Sequence, residues 1–219
     1  MPITCAVKSA LSPARMATYE AKAIAKGYEP AAALKLYAWN ARISGALLVP
    51  LHICEVVIRN AVAEALGAMH GSQWPWNPGF ERSLPRQGGP GYDAISDLQM
   101  VRKKVATTGQ VIAELKFVFW EKMFTRRHDN RLWNVHLRRV MPNLNASETV
   151  AEHRQRIYED LNKVRLLRNR IAHHEPIFAR NLNEDLKLIQ GLVAGRCRAS
   201  ADWLLIEQQV TEMLKGKPF

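Results

Sequence analysis

SETVAEHRQRIYEDLNKVRLLRNRIAHHEP, residues 147–176, is the stretch that decides the fold. At about 100° of rotation per residue, Ile157, Leu161, Val164 and Ile171 fall on one stripe of a helix. Asn145, three residues before Glu148, reads as an N-cap and N3 pair. Pro176 closes the run, because proline drives the residue before it out of helical geometry. The spacing predicts the longest helix of the chain over about residues 147–172.

The same punctuation recurs on both sides. Ser12-Pro13 opens a helix to about Lys26, Pro30 opens a second, and Pro50 starts a third that stops at Gly71. Residues 71–92 are crowded with proline and glycine and read as a long loop anchored by Trp74, Trp76 and Phe80. Helices resume over 93–107 and along QVIAELKFVFWEKMF (110–124), and a basic turn, TRRHDNR (125–131), leads to a short helix ending near Met141-Pro142. Two more helices, about 183–195 and 199–215, complete the chain. Strand signals are weak and no repeat is present, so the expected architecture is an all-α bundle, one domain over 1–219.

With 219 residues and 47% hydrophobic content the chain has the apolar share of a folded protein, which excludes disorder as a whole-chain reading. Its 31 Lys and Arg against 20 Asp and Glu, a formal charge of +11, point to a polyanionic partner or an acidic membrane surface. Cys5, Cys54 and Cys197 are odd in number and widely spaced, so neither a disulfide framework nor a cysteine metal site is supported. The N-terminus lacks the apolar run of a secretory signal, and the uninterrupted apolar stretch Gly45 to Leu51 is far below the roughly 20 residues that span a bilayer. The expectation is a soluble, cytoplasmic protein without a membrane partner.

One residue of the deciding stretch breaks its pattern. Arg168 falls near the centre of the apolar stripe, and a buried guanidinium is costly without a partner. A carboxylate, a phosphate or a subunit boundary is therefore expected to meet it. Glu55 and Arg59, four residues apart on the stripe Leu51, Ile58, Val62, Leu66, supply one candidate, with Glu55 offered to Arg59, to Arg168 or to both. Asn169 and His173 share a face that includes Arg165. Arg168 and His173 differ by about 140° and share none unless the helix changes geometry at His174-Glu175-Pro176. A purely structural reading stands beside this one, with Arg168 an ion-pair residue and the histidines favoured by the negative end of the helix dipole.

The stretch LLRNRIAHHEPIF, 166–178, resembles the Arg-Asn-x-x-x-His signature of the HEPN superfamily, with Arg168, Asn169 and His173 at the matching positions. LHICEVVIRNAV (51–62), GQVIAELKFVFWEKMF (109–124) and RLWNVHLRRVMPNL (131–144) occur in the order found in its Abi-like (AbiD/AbiF type) branch, and the likeness spans about 37–178. Val118 departs from that branch, where a glycine commonly follows the phenylalanine. Glu175 stands where another subgroup carries a modified tyrosine, so silencing by modification is not expected. The resemblance implies a helical homodimer with metal-independent endoribonuclease activity and no cofactor, working as a toxin in abortive infection or a toxin–antitoxin system of antiphage defence. It implies Arg168, Asn169 and His173 as catalytic residues; beside these, position and spacing make His174, Glu55 and Arg59 candidates for support.

Such chemistry needs no metal, because RNA carries its own nucleophile in the ribose 2′-OH. A histidine can act as general base on it or as general acid to the leaving 5′-oxygen. One imidazole does not readily do both in one step, so two His173 residues across a dimer cleft are expected, with paired Arg168 side chains on the phosphoryl oxygens. Arg165, Arg170, Arg126, Arg127, Arg138 and Arg139, with 102–104 and Arg196 and Arg198, are candidate contacts to RNA backbone. A restraining antitoxin, protein or RNA, is an expected partner. The rival reading is a non-catalytic dimer that binds RNA or protein. A metal hydrolase built on His173, His174 and His153 finds no ligand spacing to support it.

Overall fold

The computed structural model describes residues 3–86 and 91–219, and all regular structure among them is helical. Twelve α-helices follow in order: α1 Ile3–Leu11, α2 Pro13–Ala25, α3 Ala33–His70, α4 Pro78–Ser83, α5 Ala94–Arg102, α6 Thr108–Glu114, α7 Phe117–Lys122, α8 Asn134–Val140, α9 Val150–Ala172, α10 Leu182–Arg196, α11 Arg198–Glu207 and α12 Val210–Lys215. The all-α expectation holds.

The organising element is α3. Its 38 residues give a rod of roughly 57 Å, longer than α9, which the sequence had suggested as the longest. Leu36, Trp39, Ile43, Leu47, Leu51, Cys54, Ile58, Val62 and Leu66 recur at helical spacing and are all buried. α2, α8, α9, α10, α11 and α12 pack around this stripe, α10 most extensively. Pro50 does not start a helix as expected but lies inside this one. Its fixed φ suits helix, and the buried stripe passes through it from Leu47 to Leu51, so the lost backbone bond to the preceding turn is outweighed. By length and composition Pro30–His70 could also cross a membrane, with an 18-residue window of mean hydropathy 1.6 of which a third is buried. A core helix passes the same test.

Other boundaries also differ from the expected ones. Ser12 caps α2 as expected, its hydroxyl accepting from Arg15 N–H at 3.3 Å, but a helix, α1, already precedes it. The stretch 71–92 is less of a loop than expected: a 3₁₀ turn covers Trp74–Trp76, and Asn77 caps α4 by accepting from Gly79 and Phe80 N–H. Trp74 and Phe80 are buried anchors, whereas residues 87–90 lie outside the described residues. The expected helix 110–124 breaks at Leu115 and Lys116, both extended. There the Arg59 guanidinium donates to the Ile112 and Ala113 carbonyls at 3.2 and 2.6 Å, ending α6. The basic turn is a 3₁₀ segment, Arg126–His128, running into a π turn, Asp129–Trp133. At the far end, extended Gln208 divides the expected last helix into α11 and α12.

α9 itself is capped four residues later than expected, at Thr149 and not at Asn145. Thr149 and Glu152 form a reciprocal capping box. Asn145 instead takes the Ser147 N–H on its side chain, while its carbonyl accepts from His153 Nε2 at 2.7 Å. The second ring nitrogen of buried His153 accepts from Arg156 at 2.7 Å, so both are occupied within the fold.

Candidate functional site

The C-terminal end of α9 gathers the residues of interest. His174 N–H bonds to the Ile171 carbonyl at 3.0 Å and Glu175 N–H to the Arg170 carbonyl at 2.8 Å. These two bonds make a Schellman turn in which His174 occupies the left-handed position, φ 56°. Glycine usually stands there, and a histidine accepts strain to do so. The Arg15 guanidinium of α2 donates to the His174 carbonyl at 2.6 Å and pins the turn.

Arg168 is exposed, not aimed at the core. The apolar stripe of α9 passes instead through Leu167, fully buried, between Val164 and Ile171. The buried arginine of this helix is Arg154, fourteen residues earlier, which donates to Asp129 at 2.8 and 3.3 Å and to the Phe124 carbonyl at 3.4 Å. The carboxylate expected to meet a buried guanidinium exists, but it serves Arg154. Glu55 pairs with Arg59, both half-buried, and not with Arg168.

α9 carries five arginines, and four are engaged. Arg154 binds Asp129, Arg156 binds Glu148, and Arg165 binds the buried carboxylate of Glu121 together with Asn162 Oδ1 at 2.7 Å. Arg170 reaches the Pro176 carbonyl at 3.1 Å and Glu175 at 3.5 Å. Arg168 alone has no hydrogen-bond or ion-pair partner among the described residues. Neither His173 nor His174 uses its imidazole in a hydrogen bond among the described residues, and both are exposed. Asn169, half-buried, holds His173 by its main chain, the His173 N–H donating to the Asn169 carbonyl at 2.9 Å.

The helix stays regular through Ala172 and departs from its course only at His174. Asn169 and His173 therefore share a face, one turn apart. Arg168 and His173 keep their separation of about 140° within one protomer.

The remaining arginines suggested for RNA contact divide into two groups. Arg139 meets a carboxylate, Glu64, which Arg196 also binds, and with Arg165 and Arg170 its charge is largely answered internally. Arg127 and Arg138 donate only to carbonyls, of Ser83 and of Asn145 and Glu148, and keep their charge, while Arg126 is exposed without a partner among the described residues.

No protein-family model, curated protein or solved structure matches the chain. The site must be read from its own geometry.

A feature that the sequence did not reveal adjoins His174. Tyr19, Tyr37, Asn40, Ser44, Leu48 and His174 are among the residues lining a cleft of about 290 Å³ between α2, α3 and the end of α9. The signal was present in Asn40, a polar residue on the otherwise apolar stripe of α3. Two roomier hollows, about 630 and 670 Å³, lie away from the histidines. Leu48 also borders a shallow apolar depression with Val49, His52, Ile53, Trp203 and Glu207. Around it Leu48, Val49, Val56, Trp203 and Ile206 are large apolar side chains left exposed on α3 and α11.

Proposed function

We propose that the protein is a metal-independent endoribonuclease of the HEPN type, working as a homodimer, whose reacting groups are Arg168, Asn169 and His173 at the end of α9. The observation that carries this reading is the presentation of Arg168 and His173: both exposed, both without internal partners, on a helix whose other arginines are all engaged. An arginine kept for stability would be paired like its neighbours.

In the proposed reaction one His173 accepts the proton of the ribose 2′-OH as that oxygen attacks the adjacent phosphorus. The bond to the 5′-oxygen breaks, and the second His173 gives that oxygen its proton. The products are a 2′,3′-cyclic phosphate and a 5′-hydroxyl. Arg168 is always charged and offers paired N–H donors to the phosphoryl oxygens as negative charge builds on them. Asn169 orients His173 or the phosphate from the same face.

Two features favour a composite site. The angular separation of Arg168 and His173 suits their being drawn from two copies of α9. A second copy also has a surface to occupy, since the exposed apolar residues of α3 and α11 meet the cleft beside His174 at Leu48. A toxin role in antiphage defence, with an antitoxin restraining it, follows from the same family reading.

Expression of the chain in bacteria tests the proposal. Growth arrest that disappears in His173→Ala and in Arg168→Ala is the expected outcome. Absence of arrest, together with RNA left uncut by purified protein in EDTA, would favour a binding module.

A further inference from the structure

The cleft beside His174 is a small, largely apolar hollow with a few polar groups on its walls. Asn40 is 5% exposed and sits on the buried stripe of α3. Its Oδ1 accepts two backbone N–H groups, from Ile177 at 2.8 Å and Phe178 at 3.2 Å. Those bonds fix which end of the amide is which, because only the oxygen can accept them. The NH₂ group is left to face elsewhere, and it makes no hydrogen bond among the described residues. Nor is it sealed: among the described residues the enclosed side-chain N and O atoms without a partner are Arg59 Nε, Trp120 Nε1 and Glu121 Oε1. Its opening is the cleft that Asn40 lines.

The other polar groups around the cleft are equally unused. The hydroxyls of Tyr19, Tyr37 and Ser44 make no hydrogen bond among the described residues. Burial, reinforced by Tyr37, pushes the Tyr19 phenol up to about 12, so it stays a neutral donor at physiological pH. Its ring is fixed edge-on to Tyr37 at 5.1 Å and against Phe178 at 5.2 Å. His174 is held at the opening by its left-handed backbone and by Arg15. An amide donor open to the cleft and three hydroxyls without partners among the described residues offer hydrogen bonds to a ligand with polar edges.

We propose that this cleft is a nucleobase subsite, in which Asn40 Nδ2 donates to a carbonyl oxygen of the base next to the scissile phosphate. The volume of about 290 Å³ is at the small end of ligand pockets, which run about 300–1,000 Å³, and suits one nucleoside. His174, on the wall of the cleft, directly follows the proposed general acid–base, His173, in the chain. This inference rests on the endoribonuclease reading for its substrate. It also sets a preference. Asparagine reads adenine by giving and accepting one hydrogen bond each, and here the accepting oxygen is already taken by the main chain. Adenine has no carbonyl oxygen, so a donor placed for one favours uracil, cytosine or guanine over adenine.

The informative variant is Asn40→Asp, which keeps an oxygen for Ile177 and Phe178 while exchanging the cleft donor for an acceptor. Tyr37→Phe and Ser44→Ala, at less buried positions, serve if that variant fails to fold. Binding of uridine 3′-monophosphate and adenosine 3′-monophosphate is measured by calorimetry on full-length His173→Ala protein, and cleavage positions on a mixed-sequence RNA are mapped with His173 intact. The expected results are tighter binding of the uridine nucleotide, at least about tenfold weaker in Asn40→Asp, and, in that variant, loss of the preference for cleavage beside bases that carry a carbonyl. Equal binding of both nucleotides that none of the variants changes, or cleavage with the same base distribution in wild type and variants, overturns the subsite and leaves the nuclease reading intact. Asn40-dependent nucleotide binding without any RNA cleavage does the reverse. If neither nucleotide binds and no RNA is cut, both fall.

Discussion

Leu167 and Arg168 are neighbours that about 100° of helix rotation sends to opposite fates, the first fully buried and the second exposed. The sequence pattern was legible to within that single residue. Ile157, Leu161, Val164 and Ile171 are all buried as their spacing requires, but a stripe of finite width leaves adjacent positions undecided until the partner helices are placed. Arg154 shows the same ambiguity from the other side: it carries no apolar signal, and its burial depends on Asp129, which the π turn brings to it. The two arginines should behave oppositely on removal. Arg154→Ala leaves Asp129 unpaired in a largely dry setting and is expected to cost roughly 3–5 kcal/mol, read as a drop in the urea midpoint. Arg168→Ala and His173→Ala are expected to stay within about 0.5 kcal/mol of wild type while lowering RNA cleavage by about 100-fold or more. A residue-scale pH effect should accompany these. Burial, with Arg127 beside it, holds His128 down to about 4, whereas an unfolded histidine titrates near 6.5. The neutral ring is the form that the fold tolerates. Its contribution is therefore complete above about pH 6.5 and is lost as pH falls toward 4, by up to about 3 kcal/mol. Urea midpoints across that range should decline, and the decline should flatten in His128→Gln.

Elements were more legible in kind than in extent. Every predicted helix exists at least in part, because apolar periodicity and caps are written locally. Their ends depend on partners far along the chain. Arg59 ends α6 from 53 residues away, and the buried stripe of α3 carries it through Pro50, where local rules expected a start. The cap of α9 was misplaced by a competition between two plausible pairs, and Thr149 with Glu152 prevails because both halves of the box close. Thr149→Ala should therefore lower stability by about 1 kcal/mol, seen in thermal unfolding, whereas Asn145→Ala should act through the loop and His153 and leave the helix N-terminus intact. The Schellman turn at the other end of α9 could not be foreseen in detail, since nothing local requires a histidine to adopt φ 56°. Arg15, some 159 residues away in sequence, helps to hold it.

At the scale of the whole molecule, the +11 charge proves uneven in availability. Carboxylates answer Arg139, Arg154, Arg156, Arg165, Arg170 and Arg196, but the +11 already counts every carboxylate, so at least that excess of Lys and Arg stays free to meet a polyanion. Among the exposed apolar side chains a cluster lies on α3 and α11, and on the dimer reading it is the face that a second copy covers. Leu48→Glu or Trp203→Glu is expected to convert a dimer into a monomer in sedimentation measurements and to reduce cleavage with it, although neither residue belongs to the reacting set. The central claim is that RNA is cut by its own 2′-OH under the control of His173 and Arg168. The most direct test is end analysis of RNA incubated with purified protein in excess EDTA, by mass spectrometry. Fragments ending in 2′,3′-cyclic phosphate and starting with 5′-hydroxyl, absent with His173→Ala, are the predicted result; intact RNA, or fragments bearing 5′-phosphates, would contradict it.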